Sequence, residues 1–172
     1  MRIRLAGIVK ESVVDGPGIR MVIFVQGCPH GCIGCHNPGS HDPAGGYEST
    51  TEELIAALPD GKLISGLTLS GGEPFLQAEA SAEIAAAAKI KGLSVVAYTG
   101  YRFELLLEIG EKKPAVLALL QQTDILVDGP YEQEKRDLGL PFRGSANQRL
   151  IDVPASLSMG AVKEWTDPAW SF

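Results

Sequence analysis

Short apolar runs that each end in a glycine-containing loop fill the middle of this chain, and they constrain its fold more than any other feature. Residues 64–69, 93–98 and 125–127 read as buried strands. Ser70-Gly71-Gly72-Glu73-Pro74 follows the first, Thr99-Gly100 the second and Asp128-Gly129-Pro130 the third. Helical stretches lie between them, at 77–91, 102–109 and 114–121. Thr50 with Glu53 three residues on has the form of a capping box, opening a helix that Pro59-Asp60-Gly61 ends. Towards the start, 3–9 and 21–25 read as strands around the turn Asp15-Gly16-Pro17-Gly18, and 149–153 as a last strand. The tail after Pro154 has no clear period. This alternation is the pattern of an α/β fold with a mostly parallel sheet. Ligands in such sheets sit outside the carboxyl ends of the strands. The loops at 27–38, 71–74, 98–101 and 128–130 are therefore expected to converge on one edge. No repeat or linker divides the chain, so residues 1–172 are expected to form one domain.

All three cysteines fall between positions 28 and 35. The segment Cys28-Pro29-His30-Gly31-Cys32-Ile33-Gly34-Cys35 has the spacing Cys-x3-Cys-x2-Cys, inside an aperiodic stretch that reads as a functional loop. An odd number packed this tightly does not describe a secreted disulfide framework. Thiolates are soft ligands that suit iron–sulfur or zinc centres. Three of them on a cubane of four irons leave one iron open to a substrate group. The alternative is a Cys3His zinc site with His30, His36 or His41 as the fourth ligand, since all three histidines lie in the same loop.

Charge and hydropathy exclude other classes. Twenty-one acidic against fifteen basic side chains give a net charge of −6, the wrong sign for a binder driven by phosphate contacts. No nucleic acid partner is expected. No apolar run approaches the roughly 18 residues that span a bilayer. The basic start runs into Lys10 and Glu11 rather than the apolar core of a signal peptide. No membrane association and a cytoplasmic location are expected.

Adjacent glycines at 71 and 72 permit close backbone approach to a ligand, and their N–H and C=O groups can pair with an amino group or a carboxylate. Combined with the cysteine loop, Gly-Gly-Glu-Pro resembles the radical S-adenosylmethionine enzymes. Asp15-Gly16-Pro17-Gly18-Ile19-Arg20, Gly27-Cys28 and Cys35-His36-Asn37-Pro38 resemble the subset that activates glycyl radical enzymes. Tyr98-Thr99-Gly100-Tyr101, Asp128-Gly129 and Phe142-Arg143-Gly144-Ser145-Ala146-Asn147-Gln148 are similar to members acting on anaerobic ribonucleoside-triphosphate reductase. The resemblance spans roughly residues 5–152.

That resemblance implies a 4Fe-4S cluster held by Cys28, Cys32 and Cys35, whose open iron chelates the methionine amino and carboxylate groups of S-adenosylmethionine. Gly71, Gly72 and Glu73 would hold the methionine amino group. Thr99 and Asp128 match positions near the methionine or ribose, with a turn role as the alternative for each. Many such enzymes carry an aromatic residue before the third cysteine; here Gly34 stands there, leaving backbone near Gly34 or the His36 ring to hold adenine. Arg20 would meet an anionic ligand or the partner's loop, or else pair with Asp15. Asn147 and Arg149 would cap or close the sheet edge. No catalytic residue beyond the cluster ligands is expected. Flavodoxin or ferredoxin is the implied electron donor. The implied target is a glycine of the reductase, with pyruvate formate-lyase as the alternative partner. A full eight-stranded barrel takes about 250 residues, so this length implies a partial, open TIM-like barrel with a wide lateral opening.

Overall fold

A computed structural model describes residues 1–166. β1 (Arg2–Ser12) and β2 (Arg20–Val25) run antiparallel across the turn at 15–18. β3 (Tyr47–Thr50) pairs antiparallel with the other side of β1. From β2 the sheet continues in parallel through β4 (Gly66–Gly71), β5 (Ser94–Tyr98) and β6 (Ile125–Asp128). β7 (Arg149–Asp152) ends it antiparallel to β6. The order is β3-β1-β2-β4-β5-β6-β7, an open seven-stranded sheet. The expectation of a mostly parallel sheet thus holds for the middle and not for the edges. A parallel neighbour needs a crossover of a dozen or more residues, usually a helix. The tight turn before β2 and the helix-poor stretch before β7 do not supply one.

The connections between the parallel strands do supply helices: α1 (Thr51–Ala57), α2 (Ala78–Ile90), α3 (Phe103–Lys112) and α4 (Pro114–Gln122). The capping box of α1 forms as its sequence implies. The Thr50 hydroxyl accepts from the Glu53 amide, and the Glu53 carboxylate from the Thr50 amide. Two elements have no counterpart in the sequence reading, β3 and α5 (Val153–Met159). α5 opens in the supposedly aperiodic tail, where the Asp152 carboxylate accepts from the Ala155 amide. Residues 167–172 of that tail lie outside the described residues.

Strand order advances from β2 to β6 without reversal, so right-handed crossovers place their helices on one face. On that face Leu67, Leu69, Val95 and Ala97 pack with Ile84, Leu106 and Leu119 in the main core. Each of the Leu, Val and Ile side chains, fully buried, contributes roughly 1.5–3 kcal/mol. The alternating positions face the other way, where Val96, Ile125 and Val127 meet Tyr98 and Phe142 in a smaller cluster.

Arg20 belongs to this second face and is fully buried. Its guanidinium donates to Thr68 Oγ1 (2.8 Å), the Leu67 carbonyl (2.7 Å), the Ser94 carbonyl and hydroxyl, and the Pro17 carbonyl. It pins the 15–18 turn to β4 and β5. Neither an exposed anion contact nor a pairing with Asp15 describes it, because the Asp15 carboxylate accepts from the Ser12 hydroxyl instead. Desolvation pulls the Arg20 pKa down to about 10, still well above neutrality. Among the described residues no helix is long and apolar enough to cross a membrane.

Candidate active site

A cavity of about 710 Å³ opens at the carboxyl ends of the parallel strands. Cys28, Cys32 and Cys35 reach it from the loop after β2. Gly71 and Gly72 reach it from the end of β4, Thr99 and Gly100 from β5, and Gly129 from β6. The glycine-rich loops therefore meet at one edge, as the alternation of elements implies.

The cysteine loop is held mainly by groups other than its thiols, of which Cys35 Sγ accepts a long bond from the Asn37 amide (3.4 Å). The Gly27 amide donates to the Ser40 carbonyl and the Cys28 amide to the His41 carbonyl. The buried Gln26 amide group donates to the carbonyls of Gly39 and Asp42. A tight turn from the Cys32 carbonyl to the Cys35 amide (3.2 Å) spans the shorter spacing. All three cysteines are free and partly exposed. Burial pushes the Cys28 thiol above its ordinary value, and the nearby Glu73 charge adds to that shift. Among the described residues no three His, Cys, Asp or Glu side chains are gathered as a single metal ion requires. Three soft thiols opening onto one roomy cavity fit an iron–sulfur cluster, whose ligands are thiolates.

Glu73 does not face this cavity. It is fully buried and every contact is internal. Oε1 accepts from the Phe75 amide (3.0 Å), while Oε2 accepts from Thr99 Oγ1 (3.0 Å), the Gly100 amide (3.0 Å) and His30 Nε2 (2.7 Å). One carboxylate thereby joins the cysteine loop, the Gly-Gly turn and the end of β5. The His30 ring also packs edge-on against Tyr101, with centroids 4.5 Å apart. The two glycines answer first to the protein's own backbone. A Cβ on Gly71, whose φ is +95°, would come within 2.7 Å of Phe24 Cα. One on Gly72 would come within 2.3 Å of the Gly27 carbonyl oxygen. Crowding of a ligand is therefore not needed to explain why glycine stands at either position.

The remaining sequence-derived candidates divide. Thr99 lines the cavity with its hydroxyl shared between Glu73 and the Tyr101 amide. His36 lines it with its ring tilted against Tyr131 at 4.9 Å. Gly34 is exposed in a left-handed turn, φ +72°, where a Cβ would run into the Gln133 side chain. Asp128 is fully buried beneath the rim. Its carboxylate accepts from the Phe103 amide at the start of α3 and from Arg149. Arg149 reaches on to Glu104, which it holds down at about 2. Arg149 thus ties the edge strand to its neighbour, and Asn147 donates to the Pro130 carbonyl nearby.

The match to known proteins decides between the remaining metal readings. Residues 14–151 match the sequence model of a family described as 4Fe-4S single cluster domain. The chain is 39% identical over 145 residues to the anaerobic ribonucleoside-triphosphate reductase-activating protein of Vibrio cholerae, covering 80% of this chain and 90% of that one. Its counterparts from phage T4 and Escherichia coli K12 are 36% and 31% identical, each over 80% of this chain and over 86% and 90% of their own. This chain belongs to the family of anaerobic ribonucleoside-triphosphate reductase-activating proteins. The family carries a 4Fe-4S domain, which sets aside the zinc module, and the relatives from Vibrio cholerae, phage T4 and Escherichia coli K12 are named for the reductase. A crystal structure of QueE from Escherichia coli overlaps in part, with a TM-score of 0.46 and 18% identity over 58% of this chain and 53% of that one.

Within this activating-protein family member, several groups at the site have no signal of their own in the sequence. His30 was legible only as a spare zinc ligand, yet it partners Glu73. Tyr131 lines the cavity without any motif to mark it, and Gln148 lines it as the end of the 142–148 stretch, with no role of its own legible in the sequence. Gln148 Oε1 accepts from the Gly144 and Ser145 amides, and its Nε2 donates to the Gly129 carbonyl, so it shapes the loop at 142–148.

Proposed function

We propose that this chain is the radical S-adenosylmethionine activase of an anaerobic ribonucleoside-triphosphate reductase, placing a glycyl radical on that partner. The observation that carries this reading is the convergence of Cys28, Cys32 and Cys35 with Gly71, Gly72 and Thr99 on one cavity. The three thiolates would hold the 4Fe-4S cluster. When bound, the cluster supplies one electron for reductive cleavage of the sulfonium carbon–sulfur bond, giving methionine and a 5′-deoxyadenosyl radical.

The chain's own residues bind, orient and enclose. The Gly71-Gly72 backbone and Thr99 sit where a ligand's amino acid end can be held. The Glu73 carboxylate acts one step back, fixing the cysteine loop relative to Thr99 and Gly100 through His30. His36 and Tyr131 offer ring faces for the adenine, with backbone near Gly34 as the other candidate. Asp128 sets the start of α3 and the position of Arg149, and so shapes the rim without touching a ligand. The unreversed strand order and single helix face favour a partial, open TIM-like barrel, with all of residues 1–172 as one domain. The open side suits a protein loop as substrate, since the target glycine must be held within about 3–3.5 Å of the attacking carbon. A cytoplasmic location and electrons from flavodoxin or ferredoxin complete the reading.

Electron paramagnetic resonance tests it. The reduced protein with S-adenosylmethionine is expected to give a glycyl doublet on the reductase and none on pyruvate formate-lyase. A doublet on the lyase alone overturns the partner. Methionine release with no doublet on either overturns glycyl activation.

A further inference from the structure

Arg143 is the only Lys or Arg among the described residues that line the cavity. Its Nε is shielded from solvent and has no hydrogen-bond partner among the described residues. Nη1 makes one long contact, 3.3 Å, to the Gln148 carbonyl. Carboxylates that might have paired with it are engaged elsewhere. Asp128 and Glu104 are held by Arg149. Asp15, the one carboxylate among the described residues lining the cavity, accepts from Ser12.

The backbone on both sides of Arg143 is pinned. The Tyr98 hydroxyl donates to the Phe142 carbonyl at 2.8 Å, and the Gly144 amide donates to Gln148 Oε1 at 2.9 Å. Phe142 sits at a φ of 59°, a left-handed conformation that a bulky residue adopts only when its surroundings impose it. Gly144 is packed so closely on the His36 and Tyr131 rings that a Cβ would come within 3.1 and 3.0 Å of them. The guanidinium is thus presented from a fixed frame, beside the segment that follows Cys35.

A guanidinium offers five donors in a planar fork that matches a carboxylate. A guanidinium whose donors are poorly paired is costly to hold beside a cavity, and a ligand that brings an acceptor to its outer Nη groups relieves that cost. S-adenosylmethionine carries one anionic group, its α-carboxylate; its ammonium and sulfonium are cations. The geometry points to Arg143 as the receptor of that α-carboxylate, an assignment that rests on the function proposed above.

The test is equilibrium binding of S-adenosylmethionine and of its decarboxylated analogue to the cluster-loaded protein. Arg143→Gln is expected to weaken S-adenosylmethionine roughly 10- to 100-fold, with iron content and affinity for the decarboxylated analogue held within about twofold. Arg143→Lys, a point charge without the fork, is expected to fall between. It carries the comparison if Arg143→Gln fails to load iron. Equal weakening of both ligands, or no weakening of either, overturns the assignment. So does a variant that binds S-adenosylmethionine normally but loses the reductase, because the carboxylate would then be the partner's. A wild type that binds neither ligand removes the proposed function itself, whereas a wild type that binds and an indifferent variant remove only the role of Arg143.

Discussion

His30 Nε2 stands 2.7 Å from Glu73 Oε2, joining the middle of the cysteine loop to the end of the Gly-Gly turn. The same carboxylate accepts from Phe75, Thr99 and Gly100. Removing it orphans four donors around a fully buried position. Glu73→Ala is therefore expected to destabilise the metal-free protein by about 3–5 kcal/mol. Denaturant unfolding measures this. A loss below about 1 kcal/mol would mean that water replaces the carboxylate at little cost.

Gly72 makes a sharper distinction. A substituent there meets the Gly27 carbonyl before it meets any ligand. Gly72→Ala is expected to lower the thermal midpoint of the metal-free protein by several degrees, about 1–3 kcal/mol. A variant with an unshifted midpoint and weakened S-adenosylmethionine binding would restore the view that this glycine answers to the ligand alone.

Iron content tests the donor set. Anaerobic reconstitution is expected to give about four irons per chain, the cubane stoichiometry. Cys32→Ala is expected to lose both the cluster and cleavage of S-adenosylmethionine. Full cleavage by that variant, measured as methionine release, would rule the three-thiolate centre out.

Cluster loading should depend on pH with a definite sign. Burial raises the Cys28 thiol, so its proton must leave when the sulfur binds iron. Loading then releases protons and strengthens as pH rises. Below the thiol's own value each pH unit weakens the apparent affinity by up to about tenfold per thiol. Chelator stripping followed by the loss of visible absorption is expected to speed up as pH falls. Stripping that is indifferent to pH would show that the thiol is already ionised.

Much of this was legible in the sequence because periodicity and turn residues act locally. α1 declared itself through Thr50 and Glu53, and the strands through runs bounded by glycine. The convergence of four loops followed from alternation alone. What escaped depends on contacts between distant positions. β3 is short and polar and exists because β1 offers it an edge. Glu73 and Asp128 were legible as acidic residues next to turns, but only the fold reveals that both are buried and used for holding. Arg20 illustrates the same limit: five acceptors from three separate segments gather around a charge that reads as a surface residue in isolation.

The ties on the cysteine loop come mainly from Gln26, Gly27, the Cys28 amide and His30, while among the sulfurs Cys35 Sγ accepts one long contact from the Asn37 amide (3.4 Å). Damage to the metal centre and damage to the fold are consequently separate events. An oxidised cluster can be shed while its cradle keeps its shape. Reloading iron and sulfide is then expected to restore the centre without refolding the chain.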